Sequence, residues 1–286
     1  MKKAQRHILA VISDTHGGFK AALMNPNTVL FSEDEAGNPV PFNPSLTKPQ
    51  EYLWGLYSKW VEDTISIADG SEMLVLHLGD ACHGVKHPAG LVSTRLSDQA
   101  VIAEYNTRPL FAYKNLKYYR QVIGTEAHNA GEGSLEIILT NLLLARYPVV
   151  DIKPLYHGLL NYRGVTADFA HHGPFPGSRN WLKGNVARFY LRDLMMRDIM
   201  NGNPPPRLVL RGHYHTPVYE FLETRGHQSE LFVLPSFSMM NDHATRATQS
   251  MNELTHGFIV FEIENGEITR FHRLYESVDI RTVEEI

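Results

Sequence analysis

The sequence predicts an α/β fold in which two mixed β-sheets pack as a sandwich flanked by helices. Three observations predict it: short apolar runs of strand length, segments of helical period between them, and a last quarter in which strand-like runs follow one another. With 286 residues, 43% apolar and 20% charged, the chain is long enough for a sizeable core and has the composition of a folded globular protein. We read residues 1–286 as a single domain, with a long loop insertion at about 20–50.

The first strand is Ile8 to Ile12, an apolar run too short for a signal segment and followed by Ser13 and Asp14. Asn25 to Pro49 holds five prolines and little periodicity, so it reads as a long surface loop. Leu53, Leu56, Tyr57, Trp60 and Val61 then recur at helical spacing. Met73 to Leu78 and Tyr118 to Ile123 have strand length and strand residues. Between the second of these and the next strand, Leu135, Ile138, Leu139, Leu142 and Leu143 define another amphipathic helix. Val165 to Ala170 reads as a strand, and a third helix runs from about Ser178 to Met200, where Asn201-Gly202-Asn203 and three prolines stop it. Leu208 to Leu210, Tyr219 to Leu222, Leu231 to Leu234, Phe258 to Ile263 and Ile268 to Leu274 complete the strands, and Asn265-Gly266 marks a type I′ hairpin between the last two.

Charge and cysteine content narrow the function. Twenty-seven Lys and Arg against 31 Asp and Glu leave a net charge of -4, so the whole chain does not attract nucleic acid or an acidic membrane. Cys82 is the single cysteine, which excludes an intramolecular disulfide and a thiolate zinc site and makes a reducing cytoplasm the simplest location. No uncharged apolar stretch reaches the ~18 residues that cross a bilayer, so a soluble chain with no membrane partner is expected.

The 15 histidines are the unusual feature, and they cluster with aspartates where predicted strands end. Asp14-Thr15-His16 follows the first strand and Gly79-Asp80 the second; His171-His172-Gly173 follows Val165 to Ala170, and Gly212-His213-Tyr214-His215 follows Leu208 to Leu210. Strand ends are where α/β sheets assemble sites. Asp-x-His alone carries little information, but Gly-His-x-His arises by chance only about 0.06 times at this composition. Carboxylate and imidazole without thiolate suit Mn, Fe, Zn or Mg. Two such ions about 3.5 to 4 Å apart can clamp a phosphate ester and generate hydroxide at neutral pH.

This ordered set resembles the calcineurin-like metallophosphoesterase family, whose signature is Asp-x-His, Gly-Asp, Gly-Asn-His, a later His and Gly-His-x-His. The resemblance runs from Asp14 to His215 and extends to the strand-rich tail. It implies two divalent metal ions as cofactors, one held by Asp14, His16, Asp80 and His215, the other by Asp80, His172 and His213, with Gly79 and Gly212 permitting tight turns. It also implies hydrolysis of a phosphate ester by metal-bound hydroxide. The chain departs from the pattern at Gly124-Thr125-Glu126-Ala127-His128, where Gly-Asn-His would stand. Thr125 as a weak ligand, Glu126 as a carboxylate and a bulged loop carrying His128 to the scissile phosphate are the three alternatives. His128 is the favoured catalytic histidine, because an imidazole near the leaving oxygen is what the reaction needs. Between His171 and His172, alternation puts His171 on the face of Val165, Ala167 and Phe169, and His172 is the favoured ligand.

Other residues have plainer readings. His7, His77, His157, His227, His256 and His272 read as hydrogen-bonded structural histidines. His83 and His87 follow Asp80 and could contact substrate, although His83 also suits a turn. Cys82 reads as packing. The basic helix with Arg179, Lys183, Arg188, Arg192 and Arg197 reads as a solvated face, and Tyr113, Lys114, Lys117, Tyr118, Tyr119 and Arg120 as a helix running into a strand. Those two stretches nonetheless tilt the expected substrate towards a phosphodiester, a nucleotide or nucleic acid. The alternatives are a phosphomonoesterase and a non-catalytic binding scaffold on the same fold. Oligomeric state has no sequence signal.

Overall fold

A computed structural model describes residues 5–86, 88–128, 134–176, 184–240 and 252–285. In chain order its strands are β1 (Arg6–Ile12), β2 (Leu30–Glu33), β3 (Pro39–Phe42), β4 (Glu72–His77), β5 (Leu116–Val122), β6 (Asp151–Leu155) and β7 (His157–Tyr162). They continue with β8 (Val165–Ala170), β9 (Leu208–Arg211), β10 (Val218–Thr224), β11 (His227–Val233), β12 (Glu253–Glu264) and β13 (Glu267–Asp279). The helices are α1 (Lys48–Ala68), α2 (Leu96–Phe111), α3 (Leu135–Arg146) and α4 (Asn185–Met200).

Two mixed sheets form the sandwich. One has the order β13-β12-β1-β4-β5-β6 and the other β10-β11-β9-β8-β7. The centre of the first is parallel, β1 to β4 to β5, and so is the pair β8 and β9 in the second. Parallel strands buried on both faces need nearly continuous apolar runs, as Ile8–Ile12 and Met73–Leu76 supply. Their side chains divide by parity. Leu9, Val11, Leu74, Leu76 and Leu78 point into the space between the sheets, against Val165, Ala167, Phe169, Leu208, Leu210 and Phe232. Ile8, Ala10, Ile12, Met73 and Val75 point the other way, into a core with Leu53, Tyr57 and Val61 of α1 and Leu135, Leu139 and Leu143 of α3. Leu191, Leu194 and Met195 of α4 cover Val209, Leu231 and Val233 on the outside of the second sheet.

Local signals account for the boundaries. Thr47 and Gln50 form a reciprocal capping box at the start of α1, and Asp69 ends the helix in the left-handed region with φ 43°. Asn265 and Gly266 both have positive φ, 53° and 83°, as a type I′ turn demands. The segment read as a bare loop holds a small hairpin, with β2 paired antiparallel to β3, before α1 begins. Its strands are four residues each and largely exposed, so no apolar alternation betrays them. α2 ends at Phe111, ahead of the stretch read as a helix running into a strand, and Tyr113 to Asn115 form a turn; the span of α2 itself carries no reading from the sequence. α4 is described from Asn185; Ser178, Arg179, Leu182 and Lys183 lie outside the described residues, as does His87.

Among the described residues no helix is long and apolar enough to cross a membrane. Phe169, 1% exposed between the sheets, lies so close to Gly158 on β7 that a Cβ there would enter its ring. Phe169→Ala is therefore expected to lower unfolding stability by about 3–5 kcal/mol in urea titrations.

Candidate metal centre

Five loops converge at the carboxyl ends of β1, β4, β5, β8 and β9, five of the strands in parallel pairs. The first two loops prolong the parallel pairing beyond their strands: Asp14 N–H donates to Gly79 O (3.1 Å), His16 N–H to Asp80 O (3.0 Å) and Gly17 N–H to Ala81 O (2.8 Å). Gly212 N–H donates to His171 O (2.9 Å), which joins the loops of the second sheet. Asp14, His16, Asp80, His213 and His215 all adopt positive φ, from 44° to 75°. Such backbone costs on the order of 1 kcal/mol or more for each non-glycine residue and persists where surrounding bonds enforce it. Gly79, at φ 106°, leaves room that a Cβ would deny to the His171 ring, 2.6 Å from Nδ1. Gly212 lacks a positive φ, and its role is close approach, since a Cβ there would collide with Ser13 Oγ.

The side chains form two overlapping donor groups. In one, Asp14 Oδ1 lies 3.2 Å from His215 Nε2 and 3.8 Å from His16 Nε2, and the two Nε2 atoms are 3.2 Å apart. Asp14 is fully buried, its Oδ2 held by the Ser13 hydroxyl and by His213 N–H (3.1 Å). In the other, Asp80 Oδ2 lies 3.0 Å from His171 Nε2, and Thr125 Oγ1 lies 3.1 Å from Asp80 Oδ2, 3.1 Å from His171 Nε2 and 3.2 Å from His213 Nδ1. Thr125 N–H also donates to Asp80 Oδ1 (2.6 Å). Sets of donor atoms that lie within 4.8 Å of one another include Asp14/His16/His215, Asp14/Asp80/His171, His171/His172/His213 and His16/His83/His128.

Each sequence-derived site residue, Asp14, His16, Asp80, His128, His172, His213 and His215, lies in this cluster or beside it. His171 and His172 arrive differently. His171 Nδ1–H donates to Leu78 O (2.7 Å), which aims Nε2 at Asp80; His172 is exposed and meets the His213 ring face at 4.5 Å. An imidazole oriented by a backbone carbonyl is the usual posture of a metal ligand. The parity of Phe169 and of Leu78 points between the sheets, so His171 and Asp80, two residues further on, meet there. Parity in the sequence separates His171 from His172, and the packing of the second sheet opposite β4 puts His171 on the side of Asp80.

At the altered third motif, Thr125 enters the cluster, Glu126 is exposed, and His128 sits on a 3-10 turn. His128 Nδ1–H donates to His83 O, and Nε2 lies 3.7 Å from Asp80 Oδ2. The His83 ring stacks on Phe19 at 4.6 Å. Other histidines are held in the fold: His77 between Thr15 and Gln121, His157 on Asp168, His272 on Glu262 and His256 on Ser236 O. Cys82 is buried packing, and burial pushes its thiol up. Phe237 is a core turn whose N–H holds Asp14 O (3.0 Å).

Electrostatics agree with a cation site. Burial pushes the Asp14 and Asp80 carboxyls up, but the surrounding imidazoles outweigh it and hold both well below the ordinary carboxylate range. Burial lowers His16 well below its usual value, and burial with the charge of His171 lowers His213 to about 4, so both are neutral donors at pH 7. Burial lowers His171 as well, yet Asp80 and Asp14 overcome it and raise the imidazole to about 9. The proton on His171 occupies the lone pair a cation would take, so metal binding would release it. Ionised carboxylates and neutral imidazoles without thiolate fit one or two divalent ions of borderline hardness.

No family model and no curated protein matches the sequence. Among solved structures, a metallophosphoesterase from Sphaerobacter thermophilus is similar at 11% identity over 93% of this chain and 87% of that one, with a TM-score of 0.33. The sulfate thiohydrolase SoxB from Thermus thermophilus, in complex with glycerol, is 12% identical over 96% of this chain and 57% of that one, with a TM-score of 0.38. A Thermotoga maritima protein solved by NMR is 17% identical over 94% of this chain and 98% of that one, with a TM-score of 0.34. Likenesses this distant say nothing of the reaction, which rests on the site itself.

Behind the Asp80 loop, Glu136 is fully buried; burial raises its carboxyl to about 7, against the Ser134 hydroxyl, which lowers it. The folded chain therefore binds this proton more tightly than the unfolded chain, whose carboxyl has the ordinary value of 4.5. Its contribution to stability is fully present below about pH 4.5 and is lost as pH rises to about 7. Glu136→Gln is expected to remove that loss, so variant minus wild-type unfolding free energy, from urea titrations, should rise between pH 4.5 and 7.5 by on the order of 2 kcal/mol.

Proposed function

We propose that this chain is a metal-dependent phosphoric ester hydrolase. The observation that carries the proposal is the convergence of two buried carboxylates and four imidazoles, Asp14, Asp80, His16, His171, His213 and His215, from loops of both sheets onto one point. Asp14, His16 and His215 would hold one ion; His171, His213 and Thr125 would hold a second; Asp80 would touch both, and His172 stands at the rim of the second. Divalent ions bound there would supply a nucleophile at neutral pH and neutralise charge gathering on phosphorus.

The chain's own groups do the rest. His171 Nδ1–H and Ser13 Oγ–H fix the donors that face the site, so little reorganisation accompanies the reaction. Because Nδ1 of His128 is committed to His83 O, its Nε2 is the atom that would carry a proton to the leaving oxygen. A phosphodiester is the proposed substrate and a phosphomonoester the alternative. The aromatic and basic residues from Tyr113 to Arg120, before and within β5, do not favour a nucleic-acid track, since Arg120 binds Asp151, Tyr113 binds Ser71 O and Tyr119 is buried.

The test is hydrolysis of bis(p-nitrophenyl) phosphate and p-nitrophenyl phosphate with Mn, Fe, Zn and Mg, with bound metal measured in the same samples. Asp80→Asn should lose more than about a hundredfold in activity together with metal, since losing even an outer partner of a ligand costs 10–100-fold. Wild-type turnover in that variant with full metal occupancy would refute the assignment. His128→Ala should keep its metal and slow esters of poor leaving groups by about 10²–10⁴-fold. Loss of metal would instead make His128 a ligand.

A further inference from the structure

Pro174 and Pro176 are buried, while the Phe175 ring between them is 52% exposed. The backbone around that ring is firmly held. Proline fixes φ at both flanks and restricts the residue before each. One residue earlier, Gly173 lies so close to Arg211 that an added Cβ would stand 2.7 Å from both Cβ and Cγ of the arginine. Arg211 is itself 1% exposed and fixed by the Asp168 carboxylate and the Tyr190 hydroxyl (2.7 Å). Beyond the second proline, Gly184 N–H donates to Pro176 O (3.1 Å). The segment from His171 to Pro176 is thus anchored at both ends and turns Phe175 outward.

The exposed ring is connected to the donor cluster. Phe175 meets Tyr214 edge-on, with centroids 5.5 Å apart and planes at 75°, and Tyr214 meets His213 at 4.8 Å and 68°. His213 Nδ1 is the atom 3.2 Å from Thr125 Oγ1. Two ring contacts therefore lead from the cluster to an aromatic ring that is 52% exposed. On the other flank Phe19, stacked on His83, is 6% exposed and offers no such face. A rigid exposed aromatic at the rim of a polar site suits a flat ligand group, because stacking needs a π-face and little ordering.

Building on the hydrolase reading, we propose that Phe175 and Tyr214 form a subsite that stacks the planar base of a nucleotide while its phosphate lies at the metal cluster. Base–aromatic stacking tolerates any base, so the subsite would separate nucleoside esters from alkyl esters and discriminate weakly among the bases.

The test measures binding of adenosine 5′-monophosphate and of inorganic phosphate to the Mn-loaded full chain by calorimetry, for wild type, Phe175→Ala and Phe175→Trp. Phe175→Ala should weaken the nucleotide by roughly 5- to 100-fold, leave inorganic phosphate and metal content unchanged, and be reversed by Phe175→Trp. Equal loss for both ligands would overturn the subsite and make the loop merely structural. Unchanged nucleotide affinity would also overturn it; if the variant then elutes at a different size, Phe175 contacts a second copy of the chain. Phe175-dependent nucleotide binding without hydrolysis of any ester would leave the subsite standing and sink the hydrolase reading. Hydrolysis indifferent to Phe175, for nucleoside and alkyl esters alike, would do the reverse.

Discussion

Asp14 and Asp80 are 0% and 2% exposed, and among the described residues every ion-pair partner of either is a histidine. Two buried carboxylates in so small a volume require positive charge, since an uncompensated buried anion is far more costly than any hydrogen bond to it. Protonated imidazole can provide that charge and so can a cation, and the two compete for the same lone pairs. Everything around the pair serves to hold it in place. The left-handed backbone at five site residues is unfavourable in isolation, yet each loop is tied by main-chain bonds to its neighbour, as Asp14 is to Gly79 and His16 to Asp80. Strain of this kind is kept where the surrounding fold over-determines it.

The physical needs of each element decide how much of it is legible in the sequence. Buried parallel strands must be apolar on both faces, so β1 and β4 stand out, and the aspartates and histidines after them stand out in turn. α2 stays hidden because its buried residues include Gln99, Glu104, Asn106 and Thr107, with Pro109 inside the helix, which blurs any apolar stripe. Those polar side chains are used locally: Gln99 bonds to Gly84 and Ser93, and Asn106 to Asn25 and Leu23. The β2–β3 hairpin is equally opaque, being short and exposed with two prolines. For His171 and His172, alternation separates the two faces of the strand correctly. It does not say that the site lies on the inner face, because that depends on a second sheet packing opposite β4, which is a long-range fact.

The altered third motif acquires a physical meaning in this setting. Asparagine would extend an amide oxygen towards the cluster, whereas Thr125 is shorter and β-branched, and its hydroxyl sits within 3.2 Å of Asp80, His171 and His213 at once. Its N–H on Asp80 Oδ1 draws the loop inward to make that reach. A neutral hydroxyl is a weaker donor to a cation than an amide oxygen, so the two donor groups are unequal: Asp14, His16 and His215 offer a carboxylate and two imidazoles, while the second group depends on sharing Asp80. The same loop carries His128 at the end of a 3-10 turn from Glu126, with Nε2 3.7 Å from Asp80 Oδ2.

Chemistry and recognition consequently sit at different depths. The carboxylates and most of the imidazoles lie at strand ends, where packing between the sheets fixes them and where few substitutions can be absorbed. His172, Tyr214 and Phe175 lie further along two of the same loops, nearer the surface, with His172 and Phe175 the most exposed. Because Gly173 is pinned on Arg211, the β8 loop passes from the first regime to the second within three residues. Changes at Phe175 can thus alter what is held beside the cluster without disturbing the atoms that form it, which is how a fixed set of strand ends can serve ligands of different shape.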